Sequence, residues 1–157
     1  MANERMKRFN GQQAIVYNTI QLYRHDRLQF LRDSRRQAKE EGYMLGMKMV
    51  RGAYMEKERE RAEEMGYPSP IHLDKESTDA DYDAAVDYCI ERLDSIAFVA
   101  GTHNEASTFR LAERMYKDKI AANHPHVHFS QLYGMSDNLS YVLAKNGYNV
   151  AKYVPYG

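Results

Sequence analysis

The residues best suited to chemistry lie in one stretch, 43–54, with the sequence Tyr-Met-Leu-Gly-Met-Lys-Met-Val-Arg-Gly-Ala-Tyr. Met44, Leu45, Met47, Met49 and Val50 read as a buried strand. Lys48 and Arg51 interrupt the apolar run with charge, and Gly52-Ala53 follow with almost no side chain. A cation inside a buried strand is costly without a partner. Two cations at the C-terminal end of a strand, then a small-residue turn, then Tyr54, suit an anionic or electron-rich ligand. The alternative is an edge strand whose Lys and Arg are solvated. Local pattern alone leaves both readings open.

Polar groups recur at the ends of other apolar runs. A β-branched run over 14–22 carries Asn18 and Gln21 in its C-terminal half. The run 96–100 leads into Gly101-Thr102-His103-Asn104-Glu105. The run 127–132 ends in Gln131-Leu132-Tyr133-Gly134, and 149–154 contains Tyr153. With 43–51 these make five strands. Helical segments alternate with them. One spans 24–41, stopped by Gly42. A second spans 55–65 and is almost all Glu, Lys and Arg, which reads as a solvated face. A third runs over 80–93 behind an N-cap at Ser77-Thr78-Asp79, a fourth over 106–119, and a fifth over 136–146, capped by Ser136-Asp137.

Such alternation argues for a parallel sheet in an α/β fold, where ligands sit at the C-terminal ends of strands. No Gly-x-Gly-x-x-Gly follows a strand, which argues against a Rossmann dinucleotide site. A partial (β/α)8 barrel fits better. Five strands do not close such a barrel, which typically needs ~250 residues, and this chain has 157.

Composition narrows the function further. Lys+Arg and Asp+Glu are both 22, and no basic block stands out, so a nucleic-acid footprint is absent. No apolar run approaches the ~20 residues of a membrane helix, and the first ten residues lack a signal-peptide core. Cys89 is the only cysteine, so no internal disulfide framework is possible. It falls within a helical segment and reads as a packed thiol. Tyrosine is used 13 times, and it suits sites needing an apolar body with a polar tip.

Five segments at the strand ends resemble one family in order. They are Asn18-Thr19-Ile20-Gln21-Leu22-Tyr23, Lys48-Met49-Val50-Arg51-Gly52-Ala53-Tyr54, Thr102-His103-Asn104-Glu105, Phe129-Ser130-Gln131-Leu132-Tyr133-Gly134-Met135, and Lys152-Tyr153-Val154-Pro155-Tyr156-Gly157. Together they resemble proline dehydrogenase, the FAD-dependent barrel enzyme of proline catabolism, in its monofunctional, mitochondrial-type branch. The resemblance implies that the whole chain, 1–157, is one barrel segment truncated at both ends, carrying about strands four to eight. It implies oxidation of L-proline to 1-pyrroline-5-carboxylate by hydride transfer to the flavin N5. Asn18 matches an amide contact to the flavin, and Lys48 the cation beside N5. Val50, Arg51 and Gly52 match residues along the isoalloxazine and ribityl chain. Thr102, His103 and Asn104 match the adenine–pyrophosphate side, and Ser130 and Gln131 a further flavin contact. Tyr54, Leu132 and Tyr153 match the enclosure of the proline ring.

Physical chemistry supports these roles. Hydride transfer places negative charge on the flavin, and a fixed cation in a site that excludes water stabilises it. Lys48 suits that catalytic role, and Gly52-Ala53 lets the backbone approach the cofactor. The resemblance also implies electron transfer to a quinone or another acceptor. It implies a cytoplasmic protein, mitochondrial in a eukaryote, that can associate peripherally with the inner membrane without a spanning segment. Two family features are missing from the 157 residues: the first strands, with an active-site lysine and aspartate, and a helix whose paired arginines hold the substrate carboxylate. The segment alone is therefore expected to lack turnover, and an unclosed barrel to be marginally stable or to self-associate. A second reading is a non-catalytic, flavin- or small-molecule-binding remnant of the barrel. A third is a metal-dependent hydrolase using His103 and the run His124-Pro125-His126-Val127-His128.

Overall fold

The computed structural model describes residues 2–154. Among them lie six helices and five strands. In chain order these are α1 (Ala2–Phe9), β1 (Asn18–Gln21), α2 (Arg27–Glu41), β2 (Leu45–Val50), α3 (Met55–Met65), α4 (Lys75–Ile90), β3 (Ile96–Gly101), α5 (Glu105–Lys117), β4 (Val127–Leu132), α6 (Asp137–Lys145) and β5 (Val150–Tyr153). The strands form one parallel sheet in the order β1-β2-β3-β4-β5, each beside its neighbour in sequence. That order is the one a barrel produces. Here β1 and β5 are the two edges.

The sheet register sorts residues onto two faces. Leu45, Met47 and Met49 pair with Ile96, Phe98 and Ala100, and this face packs on the helices as the hydrophobic core. Tyr82, Ala85, Val86, Cys89 and Ile90 of α4 and Leu111 and Met115 of α5 complete it. The other face carries Thr19, Gln21, Gly46, Lys48, Val50, Ala97, Val99, Gly101, His128, Ser130, Leu132, Ala151 and Tyr153. It is the concave face of a barrel wall. Gln21, Lys48, Ser130 and Tyr153 of this face lie toward the strand C-termini.

The alternation expected from sequence holds, with local corrections. The edge-strand reading of Lys48 and Arg51 is overturned, because β2 lies between β1 and β3. β1 begins at Asn18 rather than residue 14. The cause is Asn10, fully buried, whose side-chain oxygen accepts from the N–H groups of Ile15 and Val16. Its amide donates to the Val16 and Met44 carbonyls, so residues 10–17 fold across the bottom of the sheet. Asn18 consequently stands at the N-terminal end of β1, in register with Met47 on the helix-covered face. The pattern of polar residues at strand C-termini therefore holds for Gln21 and fails for Asn18.

Helix ends shift as well. α4 starts at Lys75, because Asp74 caps it by accepting from the Ser77 N–H at 2.6 Å; Ser77, Thr78 and Asp79 lie inside the helix. Ser136 precedes α6 with φ 51° and makes no side-chain cap bond. Helix α1 precedes the first helix expected from sequence, and its Met6 is fully buried in the core. Gly42 and Gly66 end α2 and α3 in left-handed conformation, as C-terminal glycines do.

Candidate active site

A cleft of about 550 Å³ opens at the C-terminal ends of β2, β3, β4 and β5, within the usual range for small-molecule sites. Lys48, Val50, Arg51, Gly52, Thr102, His103, Asn104, Ser130, Gln131, Leu132 and Tyr153 all line it. Four strand ends thus bring together every residue that the resemblance matches to cofactor or substrate except two. Asn18 lies on the opposite face. Tyr54 lies outside the lining, exposed at the N-cap of α3 with the Lys57 ammonium 5.8 Å from its ring centre. Part of the fifth family motif, Pro155-Tyr156-Gly157, lies outside the described residues.

The two cations of the 43–54 stretch play different parts. Lys48 projects from the concave face and meets no carboxylate among the described residues. Its Nζ sits 3.7 Å from the centre of the Tyr153 ring, a cation–π contact. Burial lowers its pKa below the usual lysine value. Arg51 is instead bound into the protein. Its Nε meets Asp79 at 2.5 Å, Nη1 donates to Thr102 Oγ1 at 2.7 Å, and Nη2 donates to Ser107 Oγ at 2.9 Å. The guanidinium also stacks 4.3 Å over Tyr82. Asp79 bridges Arg51 to Lys75, another cleft residue. Burial raises the Asp79 pKa, yet the bonds from Lys75 and Arg51 leave it below the ordinary value. Lys75 sits in the first turn of a helix, and nothing in the sequence marks it as a site residue.

The Thr102-His103-Asn104 turn is organised by its own hydrogen bonds. Thr102 Oγ1 accepts from the Asn104 N–H, and the Asn104 side chain caps α5 by accepting from the Ser107 N–H. His103 Nδ1 lies 3.0 Å from Ser136 Oγ, tying the turn to α6. The N-terminus of α5 therefore opens on the cleft, with Lys75 and Arg51 nearby. Unpaired N–H groups and a positive dipole end favour a phosphate there. Gln131 is buried. Its amide N–H donates to the Thr102 carbonyl, and its amide oxygen accepts from the Ser140 hydroxyl. It braces β3 and α6, while its neighbour Ser130 takes the concave face.

Two glycines at the cleft sit so close to the chain's own atoms that a side chain there would clash. A Cβ on Gly101 would fall 2.9 Å from the Met49 carbonyl oxygen and 3.4 Å from Lys48 Cε. Gly52 has φ 133°, and a Cβ there would overlap the ring of Tyr23. Gln21, on the concave face at the end of β1, keeps its amide oxygen buried without a partner. A flat, polar, anionic cofactor suits a cleft with a phosphate-ready helix end and a cation that meets no carboxylate among the described residues. The described residues contain no group of three His, Cys, Asp or Glu that could hold a metal ion. His126 Nδ1 instead bonds to the Leu93 carbonyl. Cys89 is buried against Met49, and burial raises its thiol pKa, which fits a packed thiol.

Comparison with known proteins gives the same picture. Human mitochondrial proline dehydrogenase 1 is 39% identical over 157 residues, covering 98% of this chain and 26% of that protein. The carbapenem antibiotics biosynthesis protein CarD of Pectobacterium carotovorum is 39% identical over 97% of this chain and 38% of its own length. The proline utilization A structure from Bdellovibrio bacteriovorus superposes with a TM-score of 0.89 at 25% identity, over 99% of this chain and 16% of that one. The chain thus spans between a quarter and two fifths of these two curated relatives. A family model described as proline dehydrogenase matches residues 1–157, and with this fold the chain belongs to the proline dehydrogenase family.

Proposed function

We propose that the chain forms the cofactor-bearing wall of an FAD-dependent enzyme that oxidises L-proline to 1-pyrroline-5-carboxylate. The observation that carries this reading is Lys48. It is a half-buried cation on the concave face, without an anionic partner among the described residues, beside Gly101, where a side chain would crowd it. A bound flavin would supply the acceptor for the hydride leaving the ring carbon next to the proline nitrogen; the nitrogen loses a proton. Lys48 would hold positive charge where negative charge develops. Val50, Gly52 and Ser130 line the path of the ring system. Arg51, Lys75 and the α5 N-terminus would face the pyrophosphate, with Thr102, His103, Asn104 and Gln131 fixing that turn.

Leu132 and Tyr153 form an apolar wall suited to a five-membered ring, and Tyr54 stands at the head of α3 to close over it. We further propose that β1 and β5 are barrel strands four and eight, and that turnover requires the strands that pair with their free edges. Electrons would then pass to a quinone or another acceptor. No helix among the described residues is long and apolar enough to cross a membrane, and these residues would meet a membrane acceptor from its surface. The open edges also favour the second reading, a barrel remnant that binds flavin without turnover.

One experiment separates these readings. This chain, completed by the strands proposed to pair with β1 and β5, is titrated with FAD and its visible spectrum followed, then L-proline is added without oxygen. A shifted flavin spectrum that bleaches on addition of proline supports the enzyme. A shifted spectrum that proline leaves unchanged supports the remnant. No spectral shift overturns both.

A further inference from the structure

The charge run of α3 reads from sequence as solvent-facing, yet Glu58 turns inward. Its Oε1 accepts the hydroxyl hydrogen of Tyr23, and its Oε2 accepts from Arg24 Nη1 at 2.8 Å. Tyr23 is fully buried. Its ring occupies the space beneath Gly52, where a Cβ would overlap it. Its backbone N–H donates to the Arg51 carbonyl at 2.8 Å, and its carbonyl accepts from the His72 N–H at 2.8 Å. Burial and the neighbouring carboxylate both raise the phenol pKa, so the hydroxyl stays a donor. One residue therefore touches the end of β1, the turn after β2, helix α3 and the segment leading to α4.

We propose that Glu58 is a positioning residue for the cofactor cleft, acting through Tyr23 on the Arg51-Gly52 backbone. The inference rests on the flavin reading of the cleft. Glu58 lies one turn after Tyr54, and its N–H donates to the Tyr54 carbonyl at 3.0 Å. Pinning Glu58 therefore also fixes where α3 starts. Arg59 adds a second clamp by donating to the His72 carbonyl at 2.6 Å. Other acids of α3, such as Glu60, are exposed.

The test compares Glu58→Ala, Glu58→Gln, Tyr23→Phe and Glu60→Ala in the full chain. Two readouts are taken: FAD affinity by fluorescence quenching, and amide hydrogen exchange without flavin. Glu58→Ala and Tyr23→Phe should weaken FAD binding about tenfold, the loss of one charge-assisted hydrogen bond. Glu58→Gln keeps an acceptor oxygen and should recover most of that loss, which a general packing defect would not permit. Glu60→Ala should bind as the parent does. In exchange, Glu58→Ala should expose the Tyr23 and His72 amides and leave those of β3 protected. Equal FAD affinity and equal exchange in Glu58→Ala and Glu60→Ala would overturn the proposal. If the parent chain fails to bind FAD, the flavin reading falls, and the exchange data still decide whether Glu58 holds the turn.

Discussion

Replacing Gly52 with alanine tests the cleft at its tightest point. Gly52 has φ 133°, a region that L side chains rarely adopt, and a Cβ there would overlap Cε1 and Cδ1 of the Tyr23 ring. Two penalties combine. The backbone conformation costs about 1–3 kcal/mol. Overpacking adds about 1–3 kcal/mol, because the Tyr23 ring is fully buried and held at both its hydroxyl and its backbone. The sum, about 2–6 kcal/mol, is a large share of the roughly 5–15 kcal/mol that typically holds a domain folded. Gly42 is the control. Its φ is 72°, and a Cβ there would meet nothing within 4 Å, so alanine at that position costs only the left-handed penalty of about 1–2 kcal/mol.

Urea unfolding followed by circular dichroism measures both variants, and FAD titration reports the cleft. Gly52→Ala should lose at least about 1 kcal/mol more than Gly42→Ala, and its FAD binding should fall even where it remains folded. A double variant with Tyr23→Ala should show a coupling of the sign expected for relief of a clash. Equal losses at the two glycines, or no coupling to Tyr23, would refute the close approach of Tyr23 to this turn.

Other residues give sharper contrasts. In a chain completed by the strands that pair with β1 and β5, Lys48→Met removes the cation from the concave face and should cut proline-dependent flavin reduction about 10²–10³-fold, measured by stopped-flow absorbance. Arg51→Met breaks the bonds to Asp79, Thr102 and Ser107 at once and should cost about 2–4 kcal/mol, read from the urea midpoint. His128 is pushed below its ordinary value of 6.5, first by burial and then by His126, and its Nδ1 is buried without a partner. The unfolded chain therefore binds a proton there that the folded chain does not, so stability should rise with pH from the depressed value up to about 6.5. His128→Met should flatten that part of a stability–pH curve. The 157-residue chain alone should not reduce a dye with proline; steady reduction at added FAD would remove the requirement for further strands.

The sheet was legible because its strands are short apolar runs punctuated by glycine, and because βα alternation leaves little choice of topology. β4 begins and ends where the sequence places it. The differences arise where a side chain overrides local propensity. Asn10 draws Ile15 and Val16 out of a β-branched run by bonding their N–H groups, and no local rule announces an asparagine five residues upstream. Asp74 caps α4 ahead of the more conspicuous Ser77-Thr78-Asp79 because it sits where its carboxylate reaches the Ser77 N–H. The shortened β1 then leaves Asn18 at its start on the helix-covered face, since a strand alternates its side chains, and leaves Gln21 at the cleft end.

The candidate site divides along the same line. Residue type and order at the strand ends located the cleft, but not which groups remain free within it. Lys48 and Arg51 look alike in sequence, three residues apart. Lys48 falls on the concave face and meets only the Tyr153 ring among the described residues, whereas Arg51 lies past the end of β2 and reaches across to α4 and α5. That difference assigns them different chemistry: one cation is available to a reacting ligand, and the other organises the turn that would receive its phosphates. Glu58 makes the complementary case. Within a run of alternating acids and bases it is indistinguishable by type, and only the packing of α3 over Tyr23 selects it. Charge in this chain therefore acquires function from what its neighbours leave unsatisfied, and the measurement that separates Lys48 from Arg51 is the ratio of lost turnover to lost stability. In the completed barrel, Lys48→Met should lower turnover far more than stability, and Arg51→Met should lower both together; the reverse order would exchange their roles.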